Sequence, residues 1–199
     1  EDTSICSGIG AISGTVTDAT TGLPISGVRV SMSGAAGGVS YTDATGAYSY
    51  GSLPDGDYTI SISKSGYIGA STQVTIDGGP AIADFVITEV LSESQYRFVL
   101  LWDSLPVDLD AHAWSGDDHV FYMDKGADTI APYIALDIDD ITSYGPETIT
   151  VSQLAETVQY AVYNYSGMPN IAGSGATVQV YQGSSLLKAY TAPATGSGL

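Results

Sequence analysis

Apolar and polar positions alternate along most of this chain with a period of two. Val28, Val30 and Met32 alternate with Arg29 and Ser31, and Tyr58, Ile60 and Ile62 with Thr59 and Ser61; Val74 and Ile76, then Phe85 and Ile87, repeat the pattern. Such alternation marks strands with one face buried and one wet, the habit of antiparallel sheets. Turn strings bound them: TDATTGLP at 17–24, TDATG at 42–46 and LPDGDY at 53–58. Asp18 and Asp43 are each placed to cap their own turn by accepting a backbone N–H two residues on. Gly27 and Gly46 fall where turns require a positive φ. No stretch keeps helical spacing for three turns.

A second register begins near residue 95. QYRFVLLWD at 95–103 is a continuous apolar strand, followed by VDLDAHAW, HVFYMD, YIALDID, PETITV, TVQYAVYNY, ATVQVY and SLLKAYT, about eight strands in all. That is enough for a second two-sheet domain. EVLSES at 89–94 is the polar break between the two patterns. The prediction is an all-β chain of two tandem antiparallel β-sandwiches, one over 10–90 and one over 95–192. An extension at 1–9 precedes them and a small-residue, flexible tail at 193–199 follows.

Composition narrows the function classes. The 199 residues are 44% hydrophobic, enough for a core, and carry five Lys+Arg against 22 Asp+Glu, a net charge of −17. Such a chain is repelled by nucleic acid and anionic membranes and attracts cations. Its longest apolar run, Phe98 to Trp102, falls far short of the ~20 residues that span a bilayer. Cys6 is the single cysteine, so no intrachain disulfide forms. The chain opens at Glu1 without a basic-then-apolar leader, as expected of a mature exported chain or of a fragment.

Two resemblances add to this reading. GAISGTVTDATTGLPISGVRVSM at 10–32 and TDATGAYSYGSLPDGDYTISISKSGY at 42–67 resemble the carboxypeptidase regulatory-like family, a prealbumin-like β-sandwich. That resemblance implies a non-catalytic spacer, binding or display module. Related adhesin domains crosslink Lys to Asn, but residues 10–88 hold one Lys, Lys64, and no Asn, so the crosslink does not carry over. LLWDSLPVDLDAHAW at 100–114, LDIDDITSYGPETITV at 136–151 and YAVYNYSG at 160–167 resemble the YfaP-like domain of secreted and surface bacterial proteins. This implies a surface location and an immunoglobulin- or jelly-roll-like sandwich.

The acidic residues are concentrated. Ten aspartates lie between 103 and 140, with Lys125 the one base among them, and two D-x-D pairs stand out, Asp108/Asp110 and Asp137/Asp139. On a strand, i and i+2 share a face ~7 Å apart, with Leu109 and Ile138 turned to the opposite, buried face. If the two strands are neighbours, up to four carboxylates converge. At ~7 Å and an effective dielectric near 20 each like pair costs on the order of 2 kcal/mol. Ca²⁺, which takes six to eight hard oxygens at flexible geometry, is the natural neutraliser, with Glu147 as a further ligand. Asp117, Asp118, Asp124 and Asp128 read as a solvated rim. His112 reads as a polar neighbour that orients a carboxylate, since His112 and His119 lack zinc spacing and a Cys partner.

No nucleophile elbow, phosphate loop or HExxH string is present, so the chain reads as no enzyme. The 14 tyrosines read as half-buried packing residues with a sugar-binding face as the sharper alternative. Asn164-Tyr165-Ser166 is a formal glycosylation acceptor, read here as a structural Asn. The expectation is an extracellular structural protein of the cell surface or matrix, self-associating into a fibre or filament and stabilised by calcium. The rival is a carbohydrate-binding accessory module that recognises surface glycans. For assembly, Ser4 to Ile9 is uncharged and β-compatible. Ile5 and Ile9 are its apolar anchors, and Cys6 faces the other side of such a strand.

Overall fold

A computed structural model describes residues 10–196. The chain is all-β: no helix occurs among the described residues. None is therefore long and apolar enough to cross a membrane. The chain divides into two units. One runs to Asp18 and then from Leu23 to Glu89; the other holds Ala19–Gly22 and everything from Val90 onward.

The first unit contains β1 (Gly10–Asp18), β2 (Arg29–Gly34), β3 (Gly38–Tyr41), β4 (Ala47–Leu53), β5 (Gly56–Ser63), β6 (Ala70–Ile76), β7 (Ala81–Ile82) and β8 (Phe85–Ile87). One sheet runs β4-β1-β7 with β8 also on β1; the other runs β3-β2-β5-β6. β1 pairs in parallel with β7 and β8, the exception to otherwise antiparallel pairing. The alternating residues face inward as their spacing demands: Val28, Val30, Ile60, Tyr58 and Ile76 join Ile12, Val16 and Ile87 in one core. Asp43 caps its turn, accepting from the N–H and hydroxyl of Thr45 at 2.8 and 2.7 Å and from Ala47 N at 3.1 Å. Gly27 and Gly46 adopt φ of +67° and +72°, the left-handed region that favours glycine. Asp18 accepts a hydrogen bond from the Tyr67 hydroxyl at 3.2 Å.

The second unit contains β9 (Tyr96–Leu101), β10 (Asp110–Ser115), β11 (Asp118–Val120), β12 (Gly126–Ala127), β13 (Ile134–Ile138), β14 (Glu147–Val151), β15 (Val158–Tyr163), β16 (Thr177–Gln182) and β17 (Ser185–Thr191). A six-stranded sheet runs β12-β13-β14-β9-β16-β17, and a three-stranded sheet runs β11-β10-β15. Ala111, Ala113 and Val120 of the small sheet pack on Ile134, Leu136, Ile149 and Val151 of the large one. A second apolar cluster gathers Leu100, Trp102, Leu109 and Ala176. The D-x-D pairs lie at strand ends rather than within strands: Asp108 precedes β10, and Asp139 follows β13.

Candidate metal centre

Glu147 opens β14 with the same parity as Ile149 and Val151, so its side chain points between the sheets. It is fully buried. Ser143 and Tyr144, both left-handed at φ of +90° and +72°, shape the turn that delivers it. Across from it, the Trp102 indole donates to the Pro106 carbonyl at 2.9 Å, and Ser166 Oγ accepts from Asp108 N at 2.8 Å. These two bonds fix the loop that leads into Asp110.

The structure brings Asp110, Asp139 and Glu147 together, with one carboxylate oxygen of each within 4.8 Å of the others. That span is about twice a Ca–O distance, so one ion can touch all three. Glu147 Oε1 accepts from Ala111 N at 2.7 Å. Its Oε2, Asp110 Oδ2, Asp108 Oδ1 and Asp139 Oδ1 are buried without a hydrogen-bond partner among the described residues, as are His112 Nε2 and the Tyr160 hydroxyl. Asp110 is only 2% exposed and Glu147 0%. Lys125 Nζ pairs with Asp139 Oδ2 at 3.0 Å. Four carboxylates against one ammonium leave an excess of negative charge in a desolvated place, the circumstance that buried charges avoid unless paired or bound to metal.

Protonation answers the excess when no cation does. Burial pushes the Glu147 carboxyl up to about 9, against the pull of the Ala111 N–H, and the charges of Asp110, Asp139 and Asp108 push the same way. Burial, then Asp108 and Asp139, raise Asp110 to about 6. Asp108 is raised by burial and by Asp139 and Asp140. Asp108 thus borders the cluster through its charge and its orphaned oxygen.

Asp137 goes elsewhere. Leu136 pairs with Ile149, but Ile138 pairs with Thr148, one residue out of step. This bulge breaks the i, i+2 relationship expected of Asp137 and Asp139. Asp137 Oδ2 accepts instead from the Thr150 hydroxyl at 2.5 Å, and Thr150 in turn accepts from Arg97 Nε at 2.9 Å. Ile138, expected on the buried face, is half-buried, whereas Leu109 is fully buried. The assembly residues Ile5, Cys6 and Ile9 lie outside the described residues.

His112 Nε2 stands 3.9 Å from Asp110 Oδ2, and its Nδ1 meets His119 Nε2 at 2.8 Å. Sequence reasoning did not anticipate the ladder these histidines join. Trp114 stacks on His119 at 4.4 Å, and His119 on Phe121 at 4.1 Å. His112 and Trp114 alternate on β10 opposite β11, a period-two signal visible in AHAW and DHVF. Burial and the neighbouring His119 lower the His112 pKa.

No curated protein matches this sequence. Among solved structures, the major pilin SpaD of Corynebacterium diphtheriae aligns at 12% identity over 86% of this chain and 60% of its own, TM-score 0.38. The major pilin BcpA of Bacillus cereus aligns at 13% identity over 93% of this chain and 69% of its own, TM-score 0.38. A 5-hydroxyisourate hydrolase from Klebsiella pneumoniae aligns at 23% identity over 40% of this chain and 90% of its own, TM-score 0.34. Residues 11–88, nearly all of the first unit's strands, match the family model of the carboxypeptidase regulatory-like domain.

Proposed function

We propose that this chain is a non-catalytic structural module of an extracellular surface or matrix protein, and that a calcium ion completes its second unit. The observation that carries this reading is the Asp110–Asp139–Glu147 cluster, whose carboxylates come within 4.8 Å of one another and each keep a buried oxygen without a hydrogen-bond partner among the described residues. Asp108, Asp110, Asp139 and Glu147 would hold the ion, each by a carboxylate, with Lys125 offsetting part of the remaining charge. Bound there, Ca²⁺ neutralises carboxylates that otherwise repel or take up protons. It ties the loop before β10 to the ends of β13 and β14. Asp110 and Glu147 are almost fully buried, so they offer no open pair of carboxylates to a substrate, which supports a structural role. Extracellular modules bind Ca²⁺ with Kd values of about 10⁻⁴–10⁻³ M, so such a site would make an exported chain rigid after export.

Thermal unfolding with calcium and with EDTA tests the reading. Ca²⁺ at 100 times its Kd adds ~2.7 kcal/mol, several degrees in Tm for a domain of this size. Asp110→Asn combined with Asp139→Asn should erase the difference. Equal melting curves for the unaltered chain would overturn the calcium site.

A second reading, a carbohydrate-binding accessory module, draws on the ladder of Trp114, His119, His112 and Phe121. Sugars dock on open ring faces. Here the rings lie nearly parallel, 11° between Trp114 and His119 and 6° between His119 and Phe121, so their faces cover one another. A glycan array with no hit discards this reading.

A further inference from the structure

The two sheets of the second unit do not match in width. β11, β10 and β15 lie over β13, β14 and β9, so among the described residues no strand covers the inner face of β16 and β17. The result is an open apolar groove of about 620 Å³, walled by Tyr160 and Val162 of β15 on one side and by Phe98, Val178, Val180 and Tyr190 on the other. Phe98 and Tyr160 stack at 4.8 Å in its wall. Val178 pairs with Tyr190, and Val180 with Lys188, so these four side chains share the face that looks into the groove. Leu187, at a bulge in that pairing, joins them, and it and Tyr190 remain 52% and 55% exposed. Among the described residues, β15 has a strand neighbour on one side only, β10. A half-buried apolar row beside an unpaired strand edge is a template for strand addition.

We propose that this groove receives residues 1–9 of a second copy of the chain, added as a strand along β15. The inference rests on the structural reading above and supplies its means of self-association. Three features favour this occupant. Ser4–Ile9 is a six-residue uncharged run in a chain of net charge −17, and β15 is six residues long. In an extended segment Ile5, Ser7 and Ile9 share one face, which would set two branched apolar side chains against Val178, Val180 and Tyr190 and leave Cys6 outside. Among the described residues Lys188 is the one charged side chain lining the groove, with its ammonium 4.7 Å from the Tyr190 ring. It complements Glu1 and Asp2 of the incoming segment. A head-to-tail contact whose rotation does not close a ring propagates into a filament.

The test compares the full chain, the chain lacking residues 1–9, and the full chain carrying Leu187→Asp and Tyr190→Asp, two exposed positions. The full chain should form filaments by electron microscopy. Both variants should stay monomeric by light scattering while keeping the full chain's melting response to calcium. A synthetic peptide of residues 1–9 added to the shortened chain should slow amide exchange in 158–163 by about tenfold or more, and the groove variant should abolish that protection. Filaments from the shortened chain overturn the proposal. So does a peptide without effect on 158–163, or a full chain that is protected there yet monomeric at every concentration, which would mean that the segment folds back on its own copy. Because the calcium response is read on the same samples, loss of assembly is distinguishable from loss of the metal centre.

Discussion

Glu147 and Ala111 are joined by a 2.7 Å hydrogen bond from the backbone N–H to Oε1, while Oε2 is buried with no hydrogen-bond partner among the described residues, in the cluster with Asp110 and Asp139. One half of the carboxylate is therefore structural, and the other half is the one that the proposed calcium ion would engage. Glu147→Gln separates the two roles. The amide oxygen keeps the bond to Ala111, and the neutral side chain mimics a carboxyl that burial holds protonated up to about pH 9. Without calcium, the variant should melt within a few degrees of the unaltered chain near neutral pH. The stabilisation by calcium should fall sharply, since one ligand charge is gone. A variant that retains the full calcium response would remove Glu147 from the ion's ligands.

The same cluster sets a pH dependence with a definite sign. Glu147 rises from 4.5 to about 9 and Asp110 from 3.8 to about 6, so the folded state holds protons that the unfolded chain gives up. Stability from these groups is present below the ordinary carboxylate range and is lost as pH rises through the folded values. In EDTA, the second unit should therefore lose stability between about pH 4 and pH 9. Calcium displaces those protons, so its affinity should grow over the same range, with about one proton released per ion near neutral pH. Calorimetric titration in buffers of different ionisation enthalpy reads the released proton directly. Binding without proton release would mean that Glu147 stays protonated and takes no part.

Much of this was legible in the sequence because period two is a local property. The strands, Gly27 and Gly46 at their turns, and the Asp43 cap all follow from residues within a few positions of one another. The concentration of carboxylates around one lysine was legible, although β10 and β13 belong to different sheets and are not the neighbouring strands expected, so Asp110 and Asp139 meet across the sandwich. Two things were not. The bulge between Leu136 and Ile138 carries no distinctive residue, and it alone sends Asp137 to Thr150 while Asp139 joins Glu147. The depth of the site was also hidden, because D-x-D pairs suggest a wet face. The parity of Glu147 with Ile149 and Val151 was the available signal that this carboxylate is turned inward.

In the first unit, the approach of β1 to the segment before β8 leaves no room at Gly14. A methyl group there would overlap the Ala83 carbonyl oxygen, and that oxygen already accepts from the buried Tyr48 hydroxyl at 2.6 Å. Gly14→Ala should cost about 2 kcal/mol or more through overpacking against backbone that cannot retreat. Tyr48→Phe, which removes one hydrogen bond and leaves the ring in place, should cost about 1 kcal/mol. Chemical denaturation of the two variants checks the ranking. Gly14→Ala milder than Tyr48→Phe would show that β1 can shift away from Ala83.

Asp137 supplies the control that distinguishes a metal centre from a merely acidic region. It lies two residues from Asp139 in sequence, yet its partner is the Thr150 hydroxyl, which also accepts from the buried Arg97 Nε. Asp137 is itself exposed, but Asp137→Ala takes an acceptor from the buried Thr150 hydroxyl, which costs about 1 kcal/mol. The loss should be the same in calcium and in EDTA, because the Thr150 side of β14 faces away from Glu147. Asp139→Asn should behave in the opposite way, changing the EDTA melting curve little and the calcium curve strongly. A diffuse acidic surface that merely attracts cations would lose the same fraction of its calcium response with either substitution. Melting both variants under both conditions decides it, and equal calcium responses would reject a site built on Asp139 rather than Asp137.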